Sequence, residues 1–143
     1  MAGNMEEVTK AMVQDLIERA LDEGQTIGQM QDALMSSKNV AFSPERALRV
    51  SRTETTKSVN QATRKTYEQL ADRGIEMEIY WLASPGARDA HCALAKAGPI
   101  KPGEKFVVPS GEFTGKKAEH PGGFGVAALD INCRCTISSR VKT

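Results

Sequence analysis

Two of the three cysteines in this chain, Cys133 and Cys135, stand one residue apart with the guanidinium of Arg134 between them. Upstream, in one short window, lie the only tryptophan, Trp81, one of the two histidines, His91, and the third cysteine, Cys92. Each of these residue types is commonly buried for packing alone. Their concentration in the second half of the chain marks where the specific structure lies. Thiolates and imidazole are also the ligands of a soft cation. His91, Cys92, Cys133 and Cys135 could hold zinc if the final segment lies beside residues 88–97, with His120 as a further candidate. The spacing departs from the usual zinc hairpin, in which two residues separate the cysteines, and adjacent His91 and Cys92 would point apart on a strand. The packing alternative buries Cys135 and turns Arg134 to solvent or a carboxylate.

Two other chemistries are open to these residues. Cys92 beside His91, or Cys133 near His120, would pair a thiolate nucleophile with a base, although no family-type pattern surrounds either cysteine. Glu54 with Arg52 and Arg88 could form an acid–guanidinium site, or a buried ion pair that fixes packing, which is the preferred reading. Gly122-Gly123-Phe124-Gly125 lacks the Lys-Ser/Thr and the strand-to-helix setting of a phosphate loop.

The elements that must position these groups change character at Gly74. Residues 6–74 read as helical. Val8, Met12, Val13, Leu16, Ile17, Ala20 and Leu21 recur with a helical period up to Gly24. Thr26 with Gln29 resembles a capping box opening a second helix, with Ile27, Met30 and Leu34 on one face. After the break at residues 36–39, Ser43-Pro44 reads as an N-cap followed by proline at the first helical position. The third helix is expected to reach about Arg73, with Gly74 taking the left-handed cap. Its packing face is read as Leu48, Ser51, Thr55, Val59, Ala62, Thr66 and Leu70. Its other sides are basic: Arg46, Lys57 and Arg64 project in nearly one direction, either as a solvated face or as a ridge for phosphates. Beyond Gly74, residues 76–82 and 105–109 read as strands, 87–97 as a short helix, 110–125 as irregular loop and 135–141 as a final strand. The whole is α+β: N-terminal helices including one long one, then a small, mostly antiparallel sheet with long loops.

The 143 residues suit one domain, or a compact domain with a helical extension. With 40% hydrophobic and 26% charged residues the composition is that of a soluble folded chain. No apolar run approaches the roughly 18 residues a membrane span needs. The N-terminus lacks the basic flank and apolar core of a secretory signal. An odd number of cysteines argues against a disulfide framework, so reduced thiols and a cytoplasmic origin are expected. A net charge of +1 supplies no global attraction to nucleic acid or membrane.

Arg49-Val50-Ser51-Arg52-Thr53-Glu54-Thr55, with Asn60 soon after, resembles the Arg-Thr-Glu helix of the phage Mu F-like head morphogenesis family. Trp81, Arg88, Asp89, His91, His120-Pro121-Gly122 and Ile131-Asn132-Cys133-Arg134-Cys135 follow in the family's order. The resemblance covers about residues 44–138. It implies a Mu F-like head morphogenesis domain at 44–143 behind a helical N-terminal extension at 1–43. Its structural motif would be Arg52, Glu54, Asn60, Trp81, Arg88, His91, Cys133 and Cys135. The function it implies is that of a minor capsid protein of a tailed phage, not an enzyme, acting in head assembly at the portal and in genome packaging or delivery. Portal, scaffold and capsid proteins are the implied partners. The implied location is the virion, in the capsid interior or at the portal, after assembly in the host cytoplasm. No small-molecule substrate is expected, DNA contact through Arg46, Lys57 and Arg64 should be weak and non-specific, and zinc is the one cofactor in view. Some family members carry Cys-x-x-Cys where this chain has Arg88 and His91, and there the two cysteine pairs look like a zinc site; the guanidinium here weighs against one. The domain also occurs as a delivery module joined to toxins. The alternative is a small metal- or thiol-dependent enzyme, hydrolase or toxin-like, centred on His91 and the cysteines.

Two geometric expectations follow from these readings. Trp81, His91, Cys133 and Cys135 should lie in one cluster. Arg52 should be largely buried and bonded to a carboxylate or to carbonyl groups of residues 81–91.

Overall fold

A computed structural model describes residues 2–36 and 43–142, with side chains from Ala11 onward. The fold is α+β. In chain order it comprises α1 (Ala2–Asp22), α2 (Ile27–Met35), α3 (Pro44–Asp72), β1 (Met77–Leu82), α4 (Asp89–Ala97), β2 (Phe106–Val107), β3 (Lys117–Ala118), α5 (Ala127–Asp130) and β4 (Thr136–Val141). The chain divides into two compact units, Met1–Thr55 and Thr56–Thr143, with the division falling inside α3.

The first unit packs Val13, Ile17, Ala20, Met30, Leu34 and Ala47 into one apolar core. Its local signals act as their chemistry predicts. The Thr26 hydroxyl accepts from the Gln29 amide while the Gln29 side chain accepts from the Thr26 amide, closing the capping box on α2. Ser43 Oγ accepts from the Arg46 amide at 3.2 Å and caps α3.

Helices α1 and α3 end in the same way. Gln25 N–H reaches back to the Ala20 carbonyl and Gly24 N–H to Leu21; Ile75 and Gly74 repeat the pattern on Leu70 and Ala71. These paired bonds require a left-handed residue at the turn, and Gly24 (φ 72°) and Gly74 (φ 92°) supply it without a Cβ penalty.

The second unit has its core in Met77, Ile79, Trp81, Leu94, Phe106, Val108, Cys133, Cys135 and Ile137. The alternation of β1 puts Met77, Ile79 and Trp81 inward. β1 pairs antiparallel with β4, Trp81 opposite Ile137 and Leu82 opposite Thr136. Cys135 therefore begins where the ladder ends, level with the end of β1. The sheet is smaller and more divided than the sequence suggests. Among the described residues β2 pairs only with β3, which lies inside the segment read as loop, and a single bridge joins Ile79 to Ile100.

Candidate functional site

Helix α3 keeps part of the stripe expected of it, since Ser51 is buried and Leu70 packs against the core of the second unit. Val59, Ala62 and Thr66 are exposed, whereas Asn60 and Arg64, at 2% and 3% exposure, are buried in the second unit. Hydrophobic periodicity misses this face because polar side chains make it, each hydrogen-bonded to backbone. The Thr56 hydroxyl donates to the Cys133 carbonyl, and Asn60 Nδ2 donates to the Cys135 carbonyl at 3.1 Å and to the Thr56 carbonyl at 2.8 Å. Four residues of helix rise about 6 Å. Two residues of strand advance about 6.6 Å. Thr56 and Asn60 are thus spaced to meet alternate carbonyls of an extended Cys-x-Cys segment, and that match holds the segment along α3.

Its other end is fixed from α4. Arg88, the N-cap residue of that helix, donates to the Ile131 carbonyl. Asn132 has a positive φ (58°), a conformation its short polar side chain tolerates. The turn it makes sends both thiols inward while Arg134 stays exposed.

There the sulfurs meet His91. Its Nδ1 lies 3.8 Å from Cys133 Sγ and 3.6 Å from Cys135 Sγ, and the three donor atoms all fall within 4.8 Å of one another. All three residues are at most 2% exposed. The imidazole stacks on Phe124, with centroids 6.2 Å apart and planes at 10°, and sits 5.4 Å from the Trp81 ring. Phe124 is brought there by Asp130, whose carboxylate accepts from the amides of Phe124 and Gly125. Trp81, His91, Cys133 and Cys135 therefore form one cluster.

The hydrogen bond from Cys133, helped by His91, lowers the Cys135 thiol to about 4 against the opposing effect of burial. Cys133, the donor of that bond and itself buried, is pushed far above its ordinary value. Chemically the site offers two soft sulfur donors and one imidazole nitrogen, closed off from solvent.

The remaining candidates lie elsewhere. Cys92 Sγ turns to the Ala87 carbonyl at 3.5 Å and does not join the three donors, because on a helix its side chain points about 100° away from that of His91. His120 Nδ1 is 2.9 Å from the Pro121 carbonyl oxygen, and this histidine is also outside the group. Neither expected thiol–base pair is formed.

Arg52 is only half-buried and makes no hydrogen bond or ion pair among the described residues. Carbonyl groups are anchored instead by Asn60, Arg64 and Arg88, on acceptors at Cys135, Glu119 and Ile131 and not within residues 81–91. Glu54 keeps a buried Oε2 without a partner, so no acid–guanidinium pair with Arg52 or Arg88 is assembled.

Of the basic row, Arg46 is exposed and Lys57 half-buried. Arg64 is withdrawn from any phosphate ridge: it bonds Glu68 and the carbonyls of Glu104 and Glu119. Its planar fork of five donors suits such multiple acceptors, which sequence spacing alone cannot foresee. Thr56, Phe124 and Asp130 were not among the sequence candidates. A mid-helix Asn four residues after a Thr was the available signal for the first of these, since Asn is a poor helix former kept where its side chain has work to do.

A family model described as phage Mu protein F like protein matches residues 11–138. A curated relative, the NAD(+)–arginine ADP-ribosyltransferase EFV of Enterococcus faecalis (strain ATCC 700802 / V583), is 35% identical over 94 residues, which is 64% of this chain and 18% of that protein. The chain therefore spans less than a fifth of that relative's length. No solved structure matches the chain.

Proposed function

Because the chain belongs to the family of phage Mu protein F-like proteins, a family of phage head proteins, we propose that it is a minor head protein that docks on the portal during assembly and stays in the particle. The carrying observation is the family match over residues 11–138, which takes in both the helical first unit and the buried Cys-x-Cys cluster. The geometry supports a structural role. The residues with the most chemistry, His91, Cys133 and Cys135, are buried and the segment that carries the cysteines is fastened by Thr56, Asn60 and Arg88, which suits a role in holding the fold. A head protein places this chain in the virion. Among the described residues no helix is long and apolar enough to cross a membrane.

The similarity to 18% of EFV fits a module that longer proteins also carry. Here the part it would play is delivery with the genome, and not the transferase chemistry named for that protein. Contact with packaged DNA would rest on Arg46 and Lys57 and on confinement inside the head.

The test is genetic and biochemical together. Purified particles should contain the protein in few copies, it should co-purify with portal when the two are co-expressed, and deleting its gene should lower infectious yield. Particles without the protein and normal yield on deletion would overturn the reading.

A further inference from the structure

We propose that His91 Nδ1, Cys133 Sγ and Cys135 Sγ bind one zinc ion, which ties the Cys-x-Cys segment to helix α4 as a structural crosslink. The inference stands on three observations and does not depend on the role in the head.

Distances come first. Zinc–sulfur and zinc–nitrogen bonds of about 2.3 and 2.05 Å at tetrahedral angles put a sulfur and a nitrogen corner about 3.6 Å apart. The observed separations from Nδ1 are 3.6 and 3.8 Å, and no donor pair exceeds 4.8 Å. The imidazole nitrogen and each sulfur thus already stand at the spacing of two corners of the polyhedron.

Donor chemistry and charge come second. Two thiolates with one imidazole select zinc over oxygen-seeking magnesium or calcium. Two thiolates also cancel the dication, so a neutral assembly is buried in place of an isolated charge. The histidine agrees with this. Its Nε2 is buried without a hydrogen-bond partner. Bound to a metal through Nδ1, the ring carries only a neutral N–H at that position.

Preorganisation is the third. The carbonyls of Ile131, Cys133 and Cys135 are all held by side chains from helices, and Phe124 and Trp81 pack against the imidazole. No fourth His, Cys, Asp or Glu joins the group among the described residues. The last corner falls to a water, with Ser84 Oγ nearby, 4.0 Å from Cys135 Sγ.

The full chain, purified without chelators under reducing conditions, should carry about one zinc by elemental analysis. Replacing the metal with cobalt should give a thiolate-to-cobalt charge-transfer band and tetrahedral d–d absorption. Cys92→Ser should keep the full metal content, and Cys135→Ser and His91→Ala should each lose most of it. His91→Cys should retain it by restoring a soft donor. If the Cys135 and His91 variants fail to fold, the wild-type metal content and cobalt spectrum still decide. Wild-type chain with under a tenth of an equivalent of zinc and no cobalt charge-transfer band would overturn the proposal. So would equal zinc loss from Cys92→Ser and Cys135→Ser.

Discussion

Asn60 and Arg64 are buried because of what they donate to, and their removal is correspondingly specific. Asn60→Ala leaves the Cys135 carbonyl without its side-chain donor in a dry site, at a cost of about 1–3 kcal/mol. Asn60→Asp should be worse than Asn60→Ala, because it sets a carboxylate against that carbonyl; denaturant unfolding of the two variants checks the order. Arg64→Ala breaks a guanidinium that serves Glu68 and two backbone carbonyls while only 3% exposed, and should cost about 3–5 kcal/mol. Arg64→Lys should recover little of that, since an ammonium cannot span acceptors placed for a planar fork. A melting temperature unchanged by Arg64→Ala would show that these bonds are replaced by water at no cost.

At the level of elements, the second unit depends on close approach between α3 and the loop that follows β3. A Cβ on Gly122 would lie 3.0 Å from the Lys57 Cα, a backbone atom of the helix that cannot yield, and Gly122 itself has φ 84°. Gly122→Ala therefore carries two penalties, the left-handed conformation at about 1–2 kcal/mol and displacement of the loop from the helix. Gly125 has a comparable φ of 73° with nothing within 4 Å of its would-be Cβ. Gly125→Ala should thus lose the conformational part alone, and the gap between the two variants in thermal unfolding measures the packing of loop on helix. Equal losses would mean that the loop moves freely off α3. The same contact explains why a segment with the composition of irregular loop still holds a fixed strand, β3, and a buried histidine, His120.

For the molecule as a whole, net charge and the fate of the basic row decide how it meets DNA. Arg64 is spoken for inside the fold, which takes one phosphate contact away from the row of Arg46, Lys57 and Arg64. Two contacts give a log–log salt slope of about −1.8, and with a net charge of +1 there is little long-range field to strengthen it. The isolated chain should bind duplex DNA feebly and without sequence preference at physiological salt. Arg46→Glu with Lys57→Glu should abolish the residue of binding with the circular-dichroism spectrum unchanged, whereas Arg64→Glu should unfold the second unit. Submicromolar binding that resists salt, measured by fluorescence anisotropy, would reveal a nucleic-acid surface elsewhere on the protein.

What was legible in the chain itself was whatever local chemistry controls. The capping box of Thr26 and Gln29, the Ser43 cap and the glycine stops at Gly24 and Gly74 act within a few residues of themselves, so their spacing suffices to read them. The alternation of Met77, Ile79 and Trp81 and the rarity of Trp, His and Cys likewise pointed to the cluster before its geometry was known. Tertiary structure alone decided three things. It placed Cys92 outside the donor group, because helical geometry separates adjacent side chains. It gave the carbonyl-anchoring role to Asn60, Arg64 and Arg88 and not to Arg52, because the acceptors are backbone atoms at sequence distances from 40 to 75 residues. It also buried Asn60 and Arg64 while leaving Val59, Ala62 and Thr66 of the expected stripe exposed. A polar side chain looks solvated in a sequence, and only the partner across the fold shows that it is satisfied and can be buried.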